Sequence, residues 1–112
     1  MKGQHLGELE ELVMLTIGTL HPKAYGVSIR HEIQESVNRT CTLSSIHAVL
    51  QRLEEKGFIT GTFGEITPER GGKRKKYFEI TQSGARLLAY NMEMKNQLWK
   101  QMPKTVLKHL ST

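Results

Sequence analysis

The spacing of apolar residues in the first half of the chain is that of amphipathic helices. The segment Leu6–Leu20 has an apolar face broad enough to contact both the domain core and a second subunit. Its acidic residues fall in the first turns, where they complement the helix dipole. His21 precedes Pro22, and a residue before proline is disfavoured in the helical region, so the first helix is predicted to end there.

Two more helices are predicted to follow. The second covers Tyr25–Val37, and its inward face is formed by Val27, Ile29, Ile33 and Val37. The third begins at Thr42 or Ser44, because either hydroxyl can accept a hydrogen bond from a free amide of the first turn. It ends at Gly57, since glycine readily adopts the left-handed conformation that stops a helix. Its predicted inward stripe is Ile46, Val49, Leu50 and Leu53.

The outward face of the third helix is polar and has no acidic side chain before Glu54 and Glu55, near its end. This face consists of Ser44, Ser45, His47, Ala48, Gln51 and Arg52. Small residues near the N-terminus permit close approach to a groove lined by phosphates, so we predict that this helix enters the major groove of DNA with its N-terminal end first. Because many exposed helix faces have a similar composition, the prediction depends on the segment that follows.

That segment is predicted to be a β-hairpin with a cationic tip. Phe58–Phe63 and Lys76–Thr81 alternate between apolar and polar residues, as half-buried strands do. Paired glycines between them allow a tight turn, because glycine takes positive φ at little steric cost. Long cationic side chains beside a slim tip suit a narrow polyanionic groove. We therefore predict a DNA-binding wing, which consists of Arg70, Gly71, Gly72, Lys73, Arg74 and Lys75.

A long helix is predicted from Thr81 and Gln82 to about Gln101, and Pro103 ends it. It contains a heptad-like seam of mainly apolar residues at alternating spacings of three and four, which consists of Ala85, Leu88, Met92, Lys95, Trp99 and Met102. A second, adjacent stripe consists of Leu87, Met94 and Leu98. A winged domain is already complete by Thr81, so both stripes would be exposed in a monomer. We therefore predict a homodimer.

The order of elements predicts a mainly α fold with a small β-hairpin (α+β). Residues 1–81 are expected to form a winged helix-turn-helix DNA-binding domain, and residues 82–112 a C-terminal dimerisation helix and tail. The seam residues Leu88, Met92, Trp99 and Met102 make an adaptable apolar surface, because methionines beside an aromatic residue can repack. Two interpretations stay open here: ordinary dimer packing, or a pocket between the subunits for a small hydrophobic or aromatic effector.

Composition narrows the class of protein. The 112-residue chain has a formal net charge of +5, which favours an anionic partner. The single cysteine, Cys41, excludes an internal disulfide and fits a reducing compartment. No apolar stretch has the length of a signal core or a membrane span, so we expect a soluble cytoplasmic protein without membrane association. His31 and Glu35 have metal-ligand spacing but no third ligand follows, so no metal or cofactor is expected.

Catalysis is not expected either. The five histidines are scattered along the chain, and no phosphate-binding glycine loop follows a strand. The main alternative to operator binding is a winged-helix module that binds another protein or RNA, since fold alone does not determine function. Proteins that bind structured RNA often display several aromatic residues that stack on bases. Tyr77 and Phe78 alternate along a strand, so at most one of them can face outward, and RNA is therefore the less favoured partner.

The chain resembles the PadR family of bacterial transcriptional regulators. The resemblance covers nearly the whole sequence and is carried by Leu6-Gly7-Glu8-Leu9, Ala24-Tyr25-Gly26, Leu50–Gly57, and the run Glu69-Arg70-Gly71-Gly72 with the basic residues and Tyr77 after it. It implies a DNA-binding repressor that acts on double-stranded operator DNA as a homodimer, and a short C-terminal helix that supplies dimer contacts. Family members usually carry a tyrosine where this chain has His47, whose imidazole can also donate a hydrogen bond but has a different reach.

Overall fold

The computed structural model describes residues 5–66 and 74–111. The elements in chain order are α1 (Glu8–Leu20), α2 (Gly26–Val37), α3 (Leu43–Glu55), β1 (Ile59–Ile66), β2 (Arg74–Ile80), α4 (Gln82–Gln101) and α5 (Lys104–Leu107), followed by a short 3-10 turn at Lys108–Ser111. The predicted mainly α fold with a small hairpin is confirmed. No helix in the described part of the chain is long and apolar enough to cross a membrane.

Threonine side chains define two of the helix starts. The Thr42 hydroxyl accepts a hydrogen bond from the Ser45 amide at 3.1 Å, so Thr42 caps α3, as one of the two predicted alternatives. The Thr81 hydroxyl likewise accepts from the Gly84 amide at 3.1 Å and caps α4. Gly57 follows α3 with a φ of 81°, which confirms it as the residue that stops this helix.

The core lies where α1, α2 and α3 meet the base of the hairpin. The predicted inward stripe of α3 is confirmed, since all four of its residues, Ile46, Val49, Leu50 and Leu53, are buried. Ile29 and Ile33 of α2 are buried as well. The prediction that Val27 and Val37 also face inward is wrong, because they are 45% and 51% exposed. Val27 lies two residues before Ile29 and so points to the opposite side of the helix, whereas Val37 lies in the last turn, where α1 covers it only in part.

The two strands pair in antiparallel register, with Gly61 opposite Phe78 and Phe63 opposite Lys76. Both strands extend further toward the tip than predicted, and an irregularity in the pairing follows Phe63. The Phe78 amide donates to the Ala24 carbonyl at 2.8 Å, which fastens the free edge of β2 to the chain before α2. The hairpin tip, with the predicted wing residues Arg70, Gly71, Gly72 and Lys73, lies outside the described residues.

The first half of α4 belongs to the core. Gly84 approaches the Phe58 carbonyl so closely that a Cβ at position 84 would lie 2.0 Å from that oxygen. Leu87 is fully buried, so its predicted placement on an exposed stripe is wrong; the helix runs across α1 and Phe58 before it leaves the domain. The buried Asn91 side chain donates to the Leu87 carbonyl at 2.8 Å, which satisfies its amide within the helix.

The second half of α4 extends away from the core. Met94, Leu98 and Trp99 are 45%, 69% and 52% exposed. The radius of gyration is 16.7 Å, whereas a compact domain of this length has about 13 Å. The chain is therefore elongated, and its projecting helix carries exposed apolar side chains.

Candidate DNA-binding surface

Polar and small side chains form the outer surface of α3. Ser44, Ala48 and Gln51 are exposed on the side opposite the buried stripe. The Gln51 amide donates to the Glu55 carboxylate at 3.2 Å, a bond between two exposed side chains one helical turn apart. Ser45 is half-buried, and its hydroxyl donates to the Thr42 carbonyl at 2.9 Å. Ser45 thus takes part in the helix start, while the other three face solvent.

His47 lies on one flank of this surface and packs against α2. A Cβ on Gly26 would lie 2.5 Å from His47 Nε2, so only glycine at position 26 leaves room for the imidazole in this position. Gly26 is the first residue of α2. The absence of a side chain there therefore decides where His47 can lie.

Arg52 lies on the other flank and turns toward α1. Its Nε is 3.7 Å from a carboxylate oxygen of Glu10, and the Nζ of Lys56 is 3.3 Å from the same oxygen. The structure thus brings Ser44, His47, Ala48 and Gln51 toward one surface and directs Arg52 to an ion pair beside it.

Glu10 is buried at the start of α1 and forms ion pairs with both Arg52 and Lys56. Burial alone raises the pKa of its carboxyl group. The hydrogen bond from the Gly7 amide, at 2.9 Å, and the positive charges of Lys56 and Arg52 outweigh that effect, so the pKa of Glu10 lies below its ordinary value. Glu10 is therefore a charged, structural contact between α1 and the end of α3.

The cations of β2 lie across from α3. The Nζ of Lys75 is 4.4 Å from the centre of the Tyr25 ring, and that ring meets Tyr77 edge to face with 5.8 Å between the centroids. Arg74 is exposed, with its guanidinium 5.5 Å from the centre of the Phe63 ring. Both described cations of the predicted wing thus rest on aromatic rings.

One ion pair joins the hairpin to α3. The Nζ of Lys76 donates to the Glu54 carboxylate at 2.9 Å. The Lys76 side chain reaches Glu54 across Gly61, where a Cβ would lie 2.3 Å from Lys76 Cε. A larger residue at position 61 would block this route, so the glycine allows the hairpin and α3 to be connected.

These elements enclose an open cleft of about 590 Å³ between α3, the start of α2 and β2. Its lining includes Tyr25, His47, Gln51, Glu54, Arg74 and Lys75. Cations outnumber acids in this lining, and the one carboxylate is already paired with Lys76. The cleft therefore favours an anionic ligand that touches α3 and the hairpin together. The described residues contain no group of three or more side chains able to hold a metal ion.

Sequence reasoning did not single out Tyr25, Glu54 or Phe63 as parts of this surface. Tyr25 and Glu54 act through partners on β2, far along the chain, and no local pattern marks such pairs. Phe63 could have been found, because it is a large apolar residue at the outer end of a strand that was expected to be only half-buried.

The residues predicted at a dimer or effector surface differ in how far they are buried within one chain. Leu88 packs against the core, Met92 and Met102 are half-buried, and Trp99 is exposed. Lys95, on the same predicted seam, forms an ion pair with Glu11 of α1.

Comparison with known proteins agrees with this architecture. Residues 14–90 match the model of the transcriptional regulator PadR-like family. An uncharacterised protein X from Lysinibacillus sphaericus is 34% identical over 85 residues, which cover 74% of this chain and 73% of that protein. A PadR family transcriptional regulator from Eggerthella lenta is 25% identical, with a TM-score of 0.65 over 94% of this chain and 88% of that one. A PadR-like transcription factor from Bacteroides fragilis shares the fold, with 20% identity and a TM-score of 0.69 over 91% and 88%. Since the family match spans most of the described helices and the hairpin, the chain belongs to the PadR-like family of transcriptional regulators.

Proposed function

We propose that this regulator is a homodimeric repressor that binds a specific operator in double-stranded DNA. The observation that carries the proposal is the shared cleft, in which the polar outer face of α3 lies beside the cations of β2. Such an arrangement lets one duplex contact a reading helix and a cationic hairpin at the same time.

The outer face of α3 supplies the base contacts. Gln51 carries an amide that can donate to and accept from an adenine edge, once its bond to Glu55 is exchanged. Ala48 has a methyl group suited to contact the methyl of thymine, and Ser44 can bond to either kind of edge. His47 and Ser45 border these three residues. Arg52 contributes to base recognition indirectly, because its ion pair with Glu10 holds the end of α3 against α1.

The wing supplies the contacts to the DNA backbone. Arg74 and Lys75 lie at the start of β2, next to the tip that carries Arg70, Gly71, Gly72 and Lys73. Because the Tyr25 ring lies beside the Lys75 ammonium, this charge is held in the lining of the cleft. We assign phosphate contacts to these cations, and entry into the adjacent minor groove to the segment between the two strands.

The projecting half of α4 supplies the dimer contact. Leu98 and Trp99 lie on this half, and their exposure in a single chain favours burial against a second copy. The 20-residue helix is about 30 Å long at ~1.5 Å per residue, close to the ~34–36 Å between successive major-groove half-sites. A dimer that occupies two such half-sites covers one side of the duplex, which is how it would block a promoter.

An apolar effector is a further part of the proposal. Trp99 is exposed in the single chain, with Met102 three residues later. In a dimer this ring either packs against the partner or lines a pocket between the subunits. Tryptophan emission separates the two: a blue-shifted band that planar apolar compounds leave unchanged indicates packing alone, whereas a response to such a compound supports an effector site.

Binding to a panel of nucleic acids tests DNA recognition. Fluorescence anisotropy is measured with the duplex upstream of the protein's own gene, an unrelated duplex, duplex RNA and a single strand. We expect the upstream duplex to bind tightest, with Gln51→Ala reducing its advantage over unrelated DNA and Arg74→Gln weakening both duplexes equally. Equal binding to RNA, or no binding to any duplex, would favour the alternative of an RNA-binding or protein-binding module.

Sedimentation tests the dimer. The wild-type chain should sediment as a dimer, and Leu98→Glu should produce monomers, because it places a charge on the exposed apolar surface. Gln97→Glu is the matched control, since it adds the same charge at the neighbouring exposed position of α4. Monomeric wild-type protein at micromolar concentration, or equal effects of both substitutions, would contradict the assignment.

A further inference from the structure

Phe63 is a large apolar residue on the hairpin that the domain core leaves 58% exposed. We propose that Phe63 is a DNA-contacting residue of the wing, and that its ring packs against the sugar and base surface of the minor groove. The inference rests on the proposed function, because it deepens the description of the same surface.

The register of the hairpin places Phe63 on the side that faces α3. Ile59, Gly61 and Phe63 alternate along β1, and side chains at such positions share one face of a sheet. The first two residues of that face lie over the protein, since Ile59 is buried and Gly61 is crossed by Lys76 on its way to Glu54. Phe63 continues the same face beyond the edge of α3, where the protein no longer covers it.

Cations flank the exposed ring. The Arg74 guanidinium lies 5.5 Å and the Lys76 ammonium 5.6 Å from the ring centre. Lys76 is paired with Glu54, whereas no carboxylate within residues 5–66 and 74–111 lies at ion-pair distance from Arg74. The site therefore joins an apolar surface to an available positive charge.

Charge identifies the occupant of this site. A second copy would bring the same cations to the ring, and the chain already carries a net charge of +5, so self-association through this surface is electrostatically unfavourable. A DNA minor groove has apolar sugar walls between rows of phosphates, which match a ring with a guanidinium beside it. Apolar side chains that contact base steps from the minor groove are a known binding mode of proteins.

The contact should be visible as a loss of affinity without a change in salt dependence. Phe63→Thr removes the ring and introduces a β-branched residue, which is suited to a strand. We expect the dissociation constant for duplex DNA to rise about tenfold, ~1.4 kcal/mol, at every salt concentration. The slope of log affinity against log salt should stay unchanged, because no charge is removed. Arg74→Gln should instead flatten that slope by about 2 in a dimer, from about 0.9 per phosphate contact.

Two measurements separate this contact from a role in folding. Thr62→Val alters the neighbouring exposed residue on the opposite face of the strand and should leave the affinity unchanged. The thermal midpoint of Phe63→Thr should lie close to that of the wild type, because the ring is largely exposed in the free protein and, among the residues that the structure describes, lies at cation–π distance only from the side chains of Arg74 and Lys76.

The outcomes distinguish this inference from the proposed function. If the wild-type protein binds no duplex DNA, the proposed function fails. Equal affinity of wild type and Phe63→Thr for a duplex that the wild type binds would overturn the role of Phe63 alone. A flattened salt slope in Phe63→Thr would overturn direct apolar contact in favour of positioning of Arg74. If Phe63→Thr sediments as a monomer while the wild type sediments as a dimer, the ring contacts a second copy of the chain instead of DNA.

Discussion

The ammonium of Lys95 in α4 lies 2.5 and 2.7 Å from the two carboxylate oxygens of Glu11 in α1. Glu10, the residue before Glu11, accepts a hydrogen bond from Lys56 at the end of α3. The first turn of α1 therefore contacts both the helix proposed to read DNA and the helix proposed to join two subunits. Two neighbouring carboxylates of α1 thus connect it by ionic contacts to the end of α3 and to α4.

Glu10→Gln should reduce the free energy of unfolding at neutral pH by about 1 kcal/mol. The glutamine carbonyl can still accept from the Gly7 amide, so the substitution removes mainly the attraction to Lys56 and Arg52. Urea unfolding monitored by circular dichroism measures the change. Glu35→Gln, at an exposed position of α2, is the control and should change it little.

The contribution of Glu10 should also depend on pH. Its pKa is lowered in the folded state, so its contribution to stability is complete above the unfolded value of about 4.3. That contribution is lost as pH falls through the lower, folded value. The difference between wild type and Glu10→Gln should thus be constant from neutral pH to about pH 5 and shrink in more acidic solution. A difference that grows on acidification would contradict the assignment.

Gly84→Ala should destabilise the protein by about 1–3 kcal/mol. The added methyl group would lie 2.0 Å from the Phe58 carbonyl oxygen, and backbone atoms cannot yield as a flexible side chain does. Thermal unfolding measures the loss. Gly18→Ala is the matched control within α1: its methyl group would meet only Ile80 Cδ1, at 3.6 Å, and alanine should gain about 0.5–1 kcal/mol over glycine in a helix. Equal effects of the two substitutions would show that close packing at the start of α4 is not what requires Gly84.

Gly26→Ala should weaken DNA binding with little effect on stability. The new methyl group would lie 2.5 Å from His47 Nε2, and the imidazole can rotate away at small cost in folding. We expect affinity for duplex DNA to fall about fivefold, ~1 kcal/mol, because His47 borders the proposed base-reading residues. Anisotropy measures the change. In a His47→Ala background the same substitution should have no further effect; an undiminished effect there would show that Gly26 acts independently of His47.

The features of the fold that sequence reasoning predicted are those set by local interactions. The cap at Thr42, the inward stripe of α3 and the stop at Gly57 each depend on residues within a few turns of one another. The exposure of Val37 and the burial of Leu87 depend on which distant parts of the chain pack against them, and no local pattern records that. The ion pair that turns Arg52 toward α1 was not predictable either, because its partner Glu10 lies far away in the sequence.

The functional class was predictable because it is carried by a family signature. The match over residues 14–90 confirms the resemblance to PadR regulators, and membership of a family of transcriptional regulators confirms that the chain is not an enzyme. The assignment of individual residues to DNA contacts stays a prediction, and so does the dimer contact. Four of the proposed wing residues lie outside the described structure.

The salt dependence of duplex binding by the wild-type protein tests the central claim most directly. The claim is that α3 and the wing of two subunits contact one duplex together. With about four phosphate contacts per subunit, log affinity should fall with log salt with a slope of about −7, from about −0.9 per contact. A slope of about −2 or weaker would mean that the wing makes no substantial contact with the DNA backbone, and would contradict the account.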